Sequence, residues 1–572
     1  MDDDKRVKGF RSDFGFGPTN HPEVRPLPFR LMVVGDFCGA VHDRTRGAVR
    51  IDAHDFDAVM ASLGARARFE VDNLIGASAG AGEPGMTIQV DIAVTSLESF
   101  EPSRVVAGIP ALATLREFVR CARALAAGSI APAAFERDLA QFRALPVLRE
   151  PLQAVLDRLD ASKRNPTRGD EPPLDAHLES IFAMVDVPKP SGDGSHDRAA
   201  DATGQGSAPG IDVSRGIALA EAALARQLRA VTEHGAFRRL ERSWRGLRFL
   251  CRKGKGAQIE LFDGDFDAWH ERVYEAEYTG TSPAPLSLVV LSDAIGNSAM
   301  GMDTLQRWGE AGEQIQCGVV FDAGELPGEP MQALARRDAP SQLFEDARFD
   351  KWRSLRDKDA SRWLCAALNG WVLPRAHSRP PSDADTPPLF GSPVWLVAAT
   401  VAQSMQRTGW PSAHTGAHDG EIEQLPIHTH ADGAAHPLET VLSDHALRDL
   451  SRAGFTPLTC KPNHDSAWVL LAPTVHRPGK NEQHARRGTL AHQLLAARIG
   501  EMIVRNKAAL VVPGDMQGSA ANFTRFLSGL LADTGPGAAV DVQPQGTTLV
   551  LAMRTGSRVL GGTELQLGVD VE

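Results

Sequence analysis

The sequence predicts a mixed α/β (α+β) fold in two lobes, with mixed sheets, packed helices and extended strands at both ends of the chain. Three observations predict it. Short apolar runs of strand length alternate with segments of helical period along most of the 572 residues. A polar Gly/Ser/Asp stretch without periodicity, 187–210, interrupts them. All nine Trp and both Tyr lie between Trp244 and Trp468, so the first 243 residues hold neither. A single compact domain rarely partitions its large aromatics this way, and two units of different origin account for the skew.

The elements follow in order. Residues 5–26 are rich in Gly, Pro and Phe and read as an extended arm. Leu27–Phe37 is a short apolar strand ending in a Gly turn. Ile51–Gly64 is a helix, with Asp55 before Phe56, Val59 and Met60 as its N-cap. Ala67–Ile75 and Met86–Val94 alternate as half-buried strands. After Pro110, the residues Leu112, Leu115, Phe118, Val119, Ala122 and Leu125 share one helical face. Further helical patterns cover Ala133–Leu145 and Val147–Leu159.

A polar, Pro-rich stretch, 160–172, precedes a small amphipathic island. In it Leu174, Leu178, Ile181, Phe182 and Val185 recur at i, i+4, i+7, i+8 and i+11. The linker 187–210 follows, and a random coil of that length spans about 25–30 Å. The second lobe starts near Ile211, with helices over Ile217–Val231 and Phe237–Leu250. Strands are predicted at Ala257–Phe262, Leu286–Leu291 and Cys317–Phe321, and helices at Pro393–Gln406 and Leu490–Lys507. The end of the chain reads as strands at Ala539–Val542, Thr547–Met553 and Thr563–Val571. The domain boundaries are therefore 1–160 for the first lobe, 161–210 for a linker carrying the short helix 174–185, and 211–572 for the second lobe.

Composition narrows the function. With 42% hydrophobic residues the chain can build real cores and is not a disordered polymer. Against 61 basic residues stand 72 acidic ones, a net charge of −11, which disfavours a dedicated nucleic-acid binder. The six cysteines (Cys38, Cys121, Cys251, Cys317, Cys365 and Cys460) form no C-x-x-C pair and read as reduced, buried thiols. The opening MDDDKRVKGF has no apolar signal region, and no run reaches the roughly 18–20 apolar residues of a membrane span. A cytoplasmic protein without membrane insertion is expected.

Signals for catalysis are weak. Gly76–Gly80 matches G-x-S-x-G, but AGEPGM follows Ser78 and cannot start the helix a nucleophile elbow needs. Val33–Ala40 has glycines after a strand, but no G-K-[ST] and no full G-x-G-x-x-G. His414, His418, His428, His430, His436 and His445 crowd into 32 residues, and H-x-x-x-H and H-x-H spacings can chelate a metal. Their loop-like, Pro- and Gly-rich setting favours a solvated polar loop instead. No catalytic residue, metal ligand or cofactor is assigned.

Four segments in the first lobe, in order, resemble the small sheath subunit of bacterial type VI secretion systems. They are the strand ending in G-D-F (Gly35–Phe37), the I-D-x-x-x-F-D-x-V-M helix (Ile51–Met60), the F-x-V-x-N strand (Phe69–Asn73) and the S-L-x-x-F-x-P…P-x-L run (Ser96–Leu112). The second lobe resembles the large sheath subunit of the same systems. There the carriers are Phe237–Leu250, Val273–Tyr278, Phe349–Trp363, Leu425–His430, Leu442–Leu458 and the closing strands. The family supplies these as two polypeptides, and here they are fused. The region between Leu291 and Phe349 and the carboxy-terminal domain are shorter than the family pattern.

The resemblance implies a structural protomer and no enzyme. Such protomers polymerise into rings and a helical sheath around an inner tube protein, attach to a baseplate, and contract to drive secretion. Strand exchange stitches neighbours together, and the candidate arms are Val7, Phe10 and Phe14 at one end and Leu565, Leu567, Val569 and Val571 at the other. An AAA+ unfoldase recycles contracted sheaths by gripping a short helix, for which Leu174, Leu178, Ile181, Phe182 and Val185 are the candidates. The alternatives are a non-contractile scaffold or baseplate-associated part, or an enzyme using Ser78 or the histidine-rich loop.

Overall fold

A computed structural model of the chain describes residues 27–39, 46–75, 87–130, 214–374, 388–431, 433–477 and 487–571, with Phe135, Arg137 and Phe142 as isolated positions. The strands in chain order are β1 (Arg30–Gly35), β2 (Val49–Arg50), β3 (Arg66–Asp72), β4 (Thr87–Ala93), β5 (Gln258–Asp263) and β6 (Leu286–Ala294). They continue as β7 (Gly318–Asp322), β8 (Leu364–Leu368), β9 (Trp371–Val372), β10 (Phe390–Gly391), β11 (His428–Thr429) and β12 (Ala435–His436). Last come β13 (Phe455–Cys460), β14 (Ala467–Val469), β15 (Ala539–Gln545), β16 (Thr548–Arg554) and β17 (Glu564–Asp570).

The chain divides into two compact units, and the division does not follow the linear boundary at 160–210. One unit comprises residues 1–37, 42–59 and 242–572, the other 38–41 and 60–241. The mixed α/β class holds in both.

The larger unit is organised on an eight-stranded sheet with the order β14-β13-β8-β7-β6-β1-β5-β2. From β13 to β5 every neighbouring pair is parallel, and only β14 and β2 run antiparallel at the two edges. Parallel strands buried on both faces read as continuous apolar runs rather than alternating ones. The segments RLMVVG, GVVFD and LCAAL, all buried throughout, are of that kind. Strand β1 comes from the amino-terminal part of the chain and lies between two strands from beyond residue 257: Val33 sits opposite Leu261 on β5 and Val290 on β6.

Alternation in β1 sends its side chains to both faces. Met32 and Val34 join a core with Phe321, Leu364, Phe455 and the helix residues Leu305, Trp308, Trp352 and Leu447. Helices α1 (Val394–Thr408) and α2 (Leu490–Leu510) also pack on β6 and β7. Gly318 admits α2, since a Cβ there would lie 3.0 Å from Leu494. Trp244, in the F-R-R-L-E-R-S-W-R-G stretch, is fully buried; its indole N–H donates to the Phe37 carbonyl at 2.9 Å. It also meets the rings of Phe37 and Phe56 edge-on at 5.4 and 5.7 Å. Two residues on, Gly246 leaves room for Trp395, whose indole a Cβ would approach to 2.1 Å.

The smaller unit includes the antiparallel pair β3–β4 and the helices Pro102–Gly108, Pro110–Ala126 and Ser214–Glu233. The predicted apolar face, Leu112, Leu115, Phe118, Val119, Ala122 and Leu125, is buried throughout. The predicted helices Ala133–Leu145 and Val147–Leu159 lie almost wholly outside the described residues.

A separate core closes the larger unit at its carboxy-terminal end. The sheet β15-β16-β17 packs Leu549, Leu551, Met553 and Leu565 against Ile499, Ile503, Phe523, Leu527 and Leu531. The helix Met516–Leu531, which supplies the last three, is capped by Asp515, whose side chain accepts from the Gly518 amide.

Candidate functional site

Val7, Phe10 and Phe14, the helix 174–185 and Ser78 lie outside the described residues. The other arm is described. Strand β17 forms the third strand of its own sheet, with Leu567 opposite Leu551 and Val569 opposite Leu549. Leu565 is buried, and Leu567, Val569 and Val571 lie partly buried against the same core, while Glu564, Gln566 and Asp570 face outward. Its outer edge pairs with no strand among the described residues. The opposite edge, β15, carries Pro544, which has no amide hydrogen to offer.

The six histidines do not converge. His414 is buried and holds the Pro411 carbonyl at 2.8 Å through Nδ1, while His418 and His445 are exposed. Only His428, His430 and His436 meet, on the short β11–β12 hairpin. The rings of His430 and His436 stack face to face at 3.7 Å and 9°. Among the described residues no group of three or more His, Cys, Asp or Glu side chains is arranged to hold a metal.

Burial gives His414 a measurable consequence. Desolvation pulls its pKa from 6.5 to about 4, partly opposed by the Pro411 carbonyl, so it is neutral in the folded protein. Between these values the unfolded chain binds the extra proton, so stability rises with pH through this window and is complete above about 6.5. The contribution is on the order of 3 kcal/mol. Thermal unfolding followed from pH 7 to pH 4 is expected to show this loss, and His414→Met is expected to flatten that part of the profile. An unchanged profile would disprove the assignment.

One Ser–His contact that spacing does not reveal occurs in three dimensions. Ser361 Oγ lies 3.2 Å from His476 Nδ1, but the same nitrogen is 3.0 Å from the Lys358 carbonyl. Ser361 is fully buried, with its hydroxyl donating to that carbonyl as well. Both side chains tie a turn together, and neither is placed as a nucleophile or a base. The described residues also include no helix long and apolar enough to cross a membrane.

The region of the molecule that joins distant parts of the chain is the β1 junction. Arg30, at the start of β1, donates twice to Glu260 on β5, at 2.9 and 2.8 Å, and once to Glu277 at 2.9 Å. It also donates to the Ala284 carbonyl. Glu277 accepts in addition from Ser282 Oγ at 2.7 Å and the Leu286 amide at 3.0 Å. No motif in the sequence marks Arg30. Its only signal is a charge at the head of a fully apolar strand.

Two family models match separate parts of the chain. The family model for VipA, described as "Type VI secretion system, VipA, VC_A0107 or Hcp2", matches residues 18–156. The model for VipB, described as "EvpB/VC_A0108, tail sheath N-terminal domain", matches residues 260–476. The type VI secretion system sheath protein TssC1 of Pseudomonas aeruginosa is 24% identical over 329 residues, covering 50% of this chain. The chain spans 64% of that relative, less than two thirds of its length. Among solved structures, the contracted helical sheath of the anti-feeding prophage is 12% identical and covers 57% of this chain and 77% of its own, with a TM-score of 0.32. The sheath tail protein Lin1278 of Listeria innocua is 10% identical over 55% of this chain and 62% of its own, with a TM-score of 0.31.

The two matches lie in order along one chain, a type VI secretion system model first and a tail-sheath domain model after it. More particularly, the chain carries a VipA-like and, after it, a VipB-like region in one polypeptide, and its relative TssC1 is a type VI secretion system sheath protein.

Proposed function

We propose that this chain is a structural protomer of a type VI secretion contractile sheath. The observation that carries the reading is the presence of both sheath-subunit domains in one chain, in order, at 18–156 and 260–476. The protomer acts in the cytoplasm, without catalysis. It assembles with copies of itself into rings and a helical tube around an inner tube protein, and the tube stands on a baseplate. Fusion of the two lobes, 1–160 and 211–572, holds them at the one-to-one ratio a sheath of paired subunits needs.

Strand addition is the physical means of assembly. The outer edge of β17 supports this role, because the strand alternates its side chains and contains no proline. Val7, Phe10 and Phe14 of a neighbouring protomer supply the matching extended arm. The helix 174–185 serves the AAA+ unfoldase that recycles the sheath, with Leu174, Leu178, Ile181, Phe182 and Val185 as its apolar contacts.

Negative-stain electron microscopy of the purified full-length chain tests the reading, and long tubes or rings are expected. Deletion of residues 1–20 is expected to leave folded, soluble protomers that build no tubes. Uniform monomers of the full-length chain would overturn the sheath reading. Normal tubes from the deleted chain would overturn the arm alone.

A further inference from the structure

A cavity of about 470 Å³ opens in the larger unit between the helix Asp444–Arg452, the run that leaves β14 and the entry to α2. That volume lies within the roughly 300–1,000 Å³ of pockets that take ligands. Much of its wall is apolar, from Leu470 to Pro473, and Leu471 is 47% exposed. Arg448 and Arg452 also line it, both exposed and one helical turn apart, about 6 Å along the axis. Among the described residues no acidic side chain lines the cavity, and neither guanidinium has a carboxylate within ion-pair reach. The neighbouring Asp449 is engaged elsewhere, by the Ser341 amide and hydroxyl at 2.8 and 2.9 Å.

These features define what fits. An apolar wall open to water gains free energy when a partner's apolar side chain covers it. Two guanidiniums without carboxylates, in a chain of net charge −11, call for acid on that partner, because arginine and carboxylate pair through strong, geometrically defined hydrogen bonds. Carboxylates four residues apart on a helix repeat the spacing of Arg448 and Arg452, and an apolar side chain three residues on falls beside them on the same face. The stretch 478–486, between two of the lining runs in sequence, reads PGKNEQHAR and contains no large apolar side chain to cover the wall.

We propose that this cavity docks an acidic amphipathic helix of a partner protein, with an apolar side chain beside Leu471 and carboxylates one turn apart on Arg448 and Arg452. The docking site stands whether or not the chain forms a sheath.

The test is fluorescence anisotropy of the full-length chain with a labelled helical peptide of repeated Glu-Ala-Ala-Leu, which sets Glu at i, i+4 with Leu beside it. Binding with a Kd below about 1 mM is expected. Replacing every Glu of the peptide by Lys, or every Leu by Ala, is expected to weaken binding at least about tenfold. The same loss is expected for the double variant Arg448→Ala, Arg452→Ala and for Leu471→Asp in the protein. Arg525→Ala, an exposed change on the helix Met516–Leu531, is expected to leave binding unchanged. All the altered side chains are exposed, and equal thermal midpoints check that the variants remain folded. Absence of binding, equal binding of the three peptides, or equal losses from Arg525→Ala and the cavity variants overturns the proposal. Tighter binding by Glu482→Gln would put the chain's own acid on the arginines, and dispersal of the chain's oligomers by the peptide would make a second copy the occupant. Either result overturns the proposal as well.

Discussion

Residues 211–572 expressed alone are expected to be insoluble, and co-expression with residues 1–200 is expected to bring them into solution as a co-purifying pair. The reason is the position of β1. It is an interior strand of the eight-stranded sheet, paired on both sides by strands from the later part of the chain. Without it β5 and β6 each lose a ladder, and two long apolar edges face water. The side chains of Leu31, Met32, Val33 and Val34 are buried, and each such burial is worth about 1.5–3 kcal/mol. Together they amount to on the order of 6–12 kcal/mol, which matches the whole net stability of an ordinary domain, about 5–15 kcal/mol. Supplying the strand in trans restores both ladders. Solubility fractionation and co-purification through a tag on either fragment check the result. A soluble, monomeric 211–572 fragment would show that the later strands close without β1.

Arg30→Met is expected to destabilise the chain by about 3–5 kcal/mol, read as a lowered midpoint in urea or thermal unfolding. The side chain of Glu277 is only 3% exposed and that of Glu260 19%, so both carboxylates stay largely out of water after the arginine is gone. Glu277 keeps its bonds from Ser282 and the Leu286 amide but is left without a cation. Arg30→Lys is expected to recover only part of the loss. An ammonium is a point donor and cannot reproduce the paired bonds to Glu260 together with the bond to Glu277. A loss below about 1 kcal/mol for the methionine variant would mean that the carboxylates find water or other donors.

The two expected results concern one junction. Strand β1 enters the sheet at Arg30 and leaves it at Gly35, and the ion pairs sit at its entry. At its exit the Phe37 amide donates to Asp263 Oδ1 at 2.7 Å. β1, β5 and β6 belong to one polypeptide, so this pairing is intramolecular, which raises the local concentration of the strand.

Much of the local structure was legible in the sequence. The strand read at Leu27–Phe37 is β1, those read at Ala67–Ile75 and Met86–Val94 are β3 and β4, and the apolar face after Pro110 is buried as its spacing requires. The strands at Ala257–Phe262, Leu286–Leu291 and Cys317–Phe321 and the three closing strands were legible for the same reason. Each is a short apolar or alternating run, and that property belongs to the segment itself. Strands β8 and β13 and the helices Ala299–Gln314, Asp444–Arg452 and Met516–Leu531 were not assigned. Burial on both faces erases the alternation that would mark L-C-A-A-L, and F-T-P-L-T-C places a proline inside a strand.

By itself the sequence determined the mixed α/β class, the resemblance to both sheath subunits and the position of most strands. It could not determine which strands are neighbours. Only the tertiary structure decided that β1 belongs in the sheet of the later region, that β17 closes its own sheet, and that three of six histidines meet. Pairing depends on complementary edges and faces hundreds of residues apart, and Arg30 with Glu260, 230 positions away, has no local signature at all.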